Sequence, residues 1–190
     1  MAQILDLSKR FTKEQITKAN EDANVRRNIP AGGYVCKIER AILNDDPANN
    51  KANIELHVDI AEGEYAGYFK SLEDRYGFWG LRGYLSFKET SLNQFRKGCM
   101  ALCNSNPGLV FNPLAGAVDI DTLVGKQIGV VTVKEEYESN GETRERDKVY
   151  FFTEVSRIKE GKFKVPPAKK LKKDDPADFS SAEKLEIPFD

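Results

Sequence analysis

The sequence predicts a mainly β domain of five strands with one helix between the third and the fourth, and three features predict it. The stretch "KANIELHVDI" (51–60) alternates, with Ala52, Ile54, Leu56, Val58 and Ile60 on one face and Asn53, Glu55, His57 and Asp59 on the other. That is the period of a half-buried strand. The stretch "TSLNQFRKGCMALC" (90–103) sets Leu92, Phe95, Cys99 and Leu102 on one face at helical spacing, behind a Ser91/Gln94 pair with capping-box spacing. Finally, two β-branched and aromatic runs, "QIGVVTVKEEYE" and "DKVYFFTEVSRI", flank "SNGE" (139–142), whose Asn-Gly is a strong hairpin signal.

The other elements follow from punctuation. "IPAGG" (29–33) is a turn that launches a first strand from Tyr34 to about Leu43, and "NDDPANN" (44–50) is a loop too short and too Pro-broken for a helix. After the second strand, "AEGEYAGY" (61–68) turns the chain into a third strand through Phe69 and Leu72. "DTLVG" (121–125) is a turn before the fourth strand. The order β-β-β-α-β-β is that of a five-stranded OB-fold barrel whose helix plugs one end. A ferredoxin-like sandwich would need a helix where 44–50 lies. On this reading residues 1–29 form an N-terminal helical arm and 30–159 the OB-fold domain. Residues 160–182, rich in Pro, Lys, Asp and Ser, form a flexible linker, and 183–190 form the acidic and apolar tip of a disordered tail.

Composition limits the chemistry. The 190 residues are 40% hydrophobic and 31% charged with a net charge of −1, so a core is available but no bulk charge selects a polyanionic partner. No run approaches the roughly 18 apolar residues of a membrane span, and "MAQILDLSKRF" has no signal-peptide core, so a soluble cytoplasmic protein is expected. Cys36, Cys99 and Cys103 lack zinc-type pairing and read as small buried apolar residues. The single histidine, His57, reads as an outward sheet residue rather than a base. With no GxxxxGK[ST], GxGxxG or HExxH, the chain is expected to be no enzyme and to carry no metal or cofactor.

The densest unusual stretch is "EYAGYFKSLEDRYGFWGLRGYLSFK" (64–88), where aromatic rings alternate with cations and glycines. Single-stranded nucleic acid asks for this mixture, flat faces for bases and cations for phosphates. Tyr68, Tyr76, Phe78, Trp79 and Tyr84 are the candidate stacking rings, and Lys70, Arg75 and Arg82 the phosphate contacts. About half of the rings in such a stretch belong to packing: Phe69, Leu72 and Phe87 are assigned to the core, and Trp79, between glycines, is the ring expected to be most exposed. The hairpin "EEYESNGETRERDK" (135–148) adds Tyr137, Arg144 and Arg146 as residues able to close over a strand, although it also reads as a charged, solvated hairpin.

The end of the chain has its own logic. "KKLKK" (169–173) is basic, while "DDPADFSSAEKLEIPFD" (174–190) holds six acids and one lysine and closes on Ile187, Pro188 and Phe189. Two apolar anchors on an acidic tether form a partner-binding motif. The ending Glu186-Ile187-Pro188-Phe189 resembles the Asp-Ile-Pro-Phe ending with which bacterial single-stranded-DNA-binding proteins recruit replication and repair enzymes, with Glu in place of Asp and Asp190 added. The body, through "IPAGGYVCKIERA", "IELHVDIAEGEYAGYFKSLED", "LNQFRKGCMALC" and "DTLVGKQIGVVTV", resembles a phage family long catalogued as proteins of unknown function and placed in replication or recombination gene clusters. That resemblance implies an OB-fold protein of the single-stranded-DNA-binding type. The reading is of a protein that binds single-stranded DNA without strong sequence preference and recruits partner proteins through its tail, with formation of a homo-oligomer left open. The alternative from another class is an OB-like interaction adaptor in a phage replisome or particle, using the same aromatic patch against protein.

Overall fold

The computed structural model describes residues 12–15, 29–46, 51–114 and 116–171. Five strands form one antiparallel sheet: β1 (Gly33–Asp46), β2 (Lys51–Ile60), β3 (Arg82–Ser86), β4 (Gln127–Ser139) and β5 (Glu142–Thr153), in the order β3-β2-β1-β4-β5. Three helices accompany them: α1 (Tyr68–Tyr76), α2 (Leu92–Ser105) and the short α3 (Val155–Lys159). The architecture is mainly β, as expected.

Strand β1 serves two neighbours by bending. Gly33–Lys37 pair with β4, Cys36–Asp46 pair with β2, and the register slips between Ile38 and Arg40. Such a bulge increases local twist and lets one strand turn a corner. The sheet therefore curls, and its two edges face each other without a hydrogen-bonded ladder between β3 and β5. A side-chain ring fills the gap instead: a Cβ placed on Gly83 of β3 would lie 2.3 Å from Cζ of Phe152 on β5. Helix α2 packs beside this junction, with Gly98 against Leu85 (2.4 Å to an added Cβ) and Cys99 and Leu102 buried. Inside the curl lie Ile38, Leu56, Val58, Leu81, Ile128 and Val130, together with Ile29 from just before β1.

The β4–β5 hairpin turns at Asn140 and Gly141, both with positive φ (56° and 77°), as a two-residue type I′ turn demands. The inward face of β2 is observed, with Ile54, Leu56, Val58 and Ile60 buried, but the strand is not half-buried along its length: His57 and Asp59 of the opposite face are buried too.

Several expectations are corrected. The segment through Phe69 and Leu72 is helix α1, and the third strand begins later, at Arg82. The cap of α1 comes from a distant strand: Asp59 on β2 accepts the backbone N–H groups of Phe69 (2.9 Å) and Lys70 (3.3 Å). A carboxylate at a helix N-terminus satisfies orphan donors and complements the dipole. Ser91 does not cap α2 with its side chain; a 3₁₀ turn over Glu89–Ser91 leads into the helix. Leu92 and Phe87 are exposed, Phe87 resting edge-on against Phe95 (5.6 Å). His57 is buried, because Trp79 stacks on it at 5.8 Å.

The described part of the expected linker lies on the sheet. Phe163 occupies the space where Gly33 lacks a side chain, 2.5 Å from an added Cβ. Further on, Lys169 donates to Lys134 O (2.8 Å) and accepts from Glu136 N–H (2.9 Å), adding a short parallel bridge beside β4. At the other end, residues 13–15 are helical, and Thr12 and Gln15 exchange the reciprocal bonds of a capping box (2.8 and 3.2 Å). The remainder of the N-terminal arm and the tail with Glu186, Ile187, Pro188 and Phe189 lie outside the described residues. No helix among the described residues is long and apolar enough to cross a membrane.

Candidate nucleic-acid interface

The surface offers three places, and the sequence candidates fall in two of them and in the core. The first is α1 and the loop after it. Gly77, in the left-handed conformation (φ 72°), donates to Glu73 O and ends the helix, so Tyr76 and Phe78 project as a stacked, half-open pair (6.1 Å, 28°). Tyr68 is half-buried edge-on against Phe69 (5.1 Å), and Lys70 and Arg75 are exposed. A shallow hollow of about 280 Å³ lies here, lined by Tyr65, Tyr68, Arg75 and Tyr76.

Trp79 does not belong to this surface. It is 5% exposed, its indole N–H is shared between Leu81 O (2.8 Å) and Val58 O (3.2 Å), and Arg40 covers its face at 5.7 Å. The flanking glycine serves packing: an added Cβ on Gly80 would lie 2.9 Å from Phe69. The expectation of an exposed stacking tryptophan is overturned, because the carbonyls of Val58 on β2 and of Leu81 just before β3 satisfy its one polar atom inside the core.

The second place is the outer surface where β3 and β5 meet. Tyr84 is 54% exposed and shares its face of β3 with Arg82, two residues before it, and the charges of Arg82 and of Arg146 on β5 act on its phenol. Partial burial of the hydroxyl end, and then Glu55, nevertheless push that phenol above its ordinary value. Arg82 also reaches Glu55 (3.4 Å), which holds His57 Nε2 at 2.8 Å. On the neighbouring hairpin Arg146 lies over the Tyr137 ring at 5.3 Å and binds the Glu135 carboxylate through Nε (2.9 Å) and Nη2 (2.6 Å). Lys148 (2.6 Å) and Lys169 (3.1 Å) share that carboxylate. Lys148 first, with Arg146 and Lys169 adding to it against the opposing cost of burial, holds Glu135 down at about 2. Three exposed cations thus share one buried acid, leaving a positive surplus on this surface. Arg144, opposite Tyr137, pairs with Glu142 at the turn (3.2 Å).

The third place was not singled out from the sequence. A groove of about 1060 Å³ begins at Tyr84 and runs between α2, β5 and residues 161–164. Its floor includes Tyr150 and Phe151, edge-to-face at 5.8 Å. Tyr150 is the extra residue of a second bulge, since Val131 pairs with Phe151 and Thr132 with Val149. The run "VYFF" carries the only hint of this, because three consecutive aromatics cannot all face one side of a regular strand.

Burial pushes the thiol of Cys36 up, and that of Cys99 up to about 11, so both behave as core residues. No group of acids, cysteines and histidine able to hold a metal ion occurs among the described residues. No protein-family model matches this chain, and no curated protein matches it.

Proposed function

We propose that the protein binds single-stranded DNA in a phage or mobile-element replication or recombination module, without catalysis and without strong sequence preference. The observation that carries this reading is Tyr84, an exposed ring on the same strand face as Arg82, at the junction where β3 packs against Phe152 of β5. It joins the two stretches, 64–88 and 135–148, that the sequence nominates separately. A base stacks on the ring while the guanidiniums and Lys148 face phosphates, and Tyr137 beneath Arg146 extends the platform. The rings of Tyr68, Tyr76 and Phe78 with Lys70 and Arg75 form an outlying patch, and Trp79 has no part in binding.

An OB-type barrel is part of the same proposal. The strand order 3-2-1-4-5 is what such a barrel gives when opened between its third and fifth strands, and α2 sits at that opening. Residues 183–190 act as the partner hook that the sequence suggests. One observation favours the rival, a protein-interaction module: Arg144 and Arg146 already face carboxylates of their own chain.

Anisotropy of a labelled oligo-dT at two salt concentrations separates the two. Affinity that falls with salt supports DNA binding, and Tyr84→Ala weakens it by about 1–3 kcal/mol, the worth of one stacked base. Absence of binding at low salt refutes the reading. Deletion of residues 184–190 leaves affinity unchanged or raises it; a fall shows that the hook is part of the DNA site instead.

A further inference from the structure

We infer that the groove between α2, β5 and residues 161–164 is a second stretch of the path of single-stranded DNA, in which bases leaving Tyr84 stack on Tyr150 and Phe151. The inference rests on the function proposed above and adds to it a site on the helix side of the β3–β5 junction.

Four observations carry it. The groove, at about 1060 Å³, is larger than a single base needs and begins at Tyr84, so a strand lying on the β3–β5 surface enters it without a break. Its apolar lining faces solvent: Tyr150 is 59% and Met100 50% exposed, and Phe151 is exposed beside them. Exposed apolar surface of this kind, rimmed by polar groups, marks a binding site. The bulge at Tyr150 is what turns that ring outward, and bulges recur where a side chain must be re-aimed.

The charge of the rim then selects the ligand. Lys97, Arg157, Lys162 and Lys164 line the groove against one acid, Glu154. Glu154 is engaged by Asn104 Nδ2 at 2.7 Å, and Lys162 by Glu160 at 2.7 Å. Lys97 and Lys164, from opposite walls, have no partner among the described residues. A neutral apolar ligand leaves these cations unused, and a simple anion leaves the rings unused. A polyanion with flat apolar faces uses both, and continuity with Tyr84 favours nucleic acid over an acidic peptide.

The test uses the full-length protein and oligo-dT of two lengths, about 8 and about 25 nucleotides, which bracket the span of one barrel surface. The short strand is covered by the Tyr84 surface; the long one reaches the groove. Tyr150→Ala is expected to weaken the long strand at least about fivefold, the effect of losing one stacked base, and to leave the short one unchanged. Lys97→Glu with Lys164→Glu is expected to do the same and to flatten the salt dependence of the long strand. Circular dichroism of each variant matches the parent, since all three side chains are exposed. Variants that bind the long strand like the parent overturn this inference alone, and a parent that binds neither strand overturns the function as well. A K97E/K164E protein that binds DNA more tightly overturns it too, by showing that the groove holds an acidic segment such as residues 174–190.

Discussion

Two regions of this protein look alike in sequence and divide their rings differently between core and surface. Residues 68–81 and residues 82–84 with 146–151 both mix aromatic rings, cations and glycine. In the first, Phe69 and Trp79 are buried, Gly80 gives way to the Phe69 ring, and Asp59 pins the start of the helix. In the second, Gly83 gives way to Phe152, while Tyr84 and Tyr150 are left in solvent. Glycine in both places makes room for a neighbouring ring, and that ring is the one that packs. The ring left exposed is the one whose position on the strand points away from the curl of the sheet. An aromatic–glycine–cation pattern therefore marks a crowded junction, and only its outer members are available to a ligand.

The comparison can be broken by experiment. The largest effect is expected for Trp79→Ala, which removes a core ring and orphans the carbonyl contacts, costing about 3–5 kcal/mol in urea unfolding. Because Trp79 is the only tryptophan and is buried, its fluorescence reports unfolding well, and oligo-dT is expected to quench it little even while anisotropy shows binding.

Glu135→Gln is expected to come next, at on the order of 1–2 kcal/mol near neutral pH, less than the full shift implies because its cationic partners are solvent-screened. The sign follows from a carboxyl held at about 2 against an ordinary 4.5: its stabilisation is present above 4.5 and is lost as pH falls toward 2. Acid titrations followed by circular dichroism therefore show a shallower loss over that window in the variant; equal slopes would sink the role given to the Lys148–Arg146–Lys169 cluster.

Gly83→Ala forces a Cβ into the Phe152 ring and is expected to cost about 1–3 kcal/mol; an unchanged denaturation midpoint would mean that β3 and β5 do not meet there. The smallest stability effect belongs to Tyr84→Ala, within about 0.5 kcal/mol for an exposed site. A large loss at Tyr84, or none at Trp79, reverses the division between the two regions.

Much of the sheet was legible because local rules and tertiary packing agree there. The apolar set Ile54, Leu56, Val58 and Ile60, the Asn140-Gly141 turn and the helical spacing of Cys99 and Leu102 each follow from local pattern. The misreadings cluster where the deciding partner is remote. Helix α1 carries no local cap signal, because its cap is a side chain of β2, ten residues before Phe69. His57 sits on what alternation calls the outer face, yet Trp79 closes over it from the far side of α1. Phe163 and Lys169 lie in a stretch with linker composition, yet find a glycine notch and a shared carboxylate waiting on β1 and β4.

The sequence by itself determined that this chain makes a mainly β fold with a helix before its closing hairpin, since periodicity and turn chemistry are properties of neighbours along the chain. It also determined that rings and cations are concentrated in 64–88 and 135–148. Only the tertiary structure decided which rings remain in solvent, because exposure depends on what another strand or helix brings to the same volume. The groove that Tyr84 shares with Tyr150 and Phe151 exists only once the sheet has curled and set β3 beside β5.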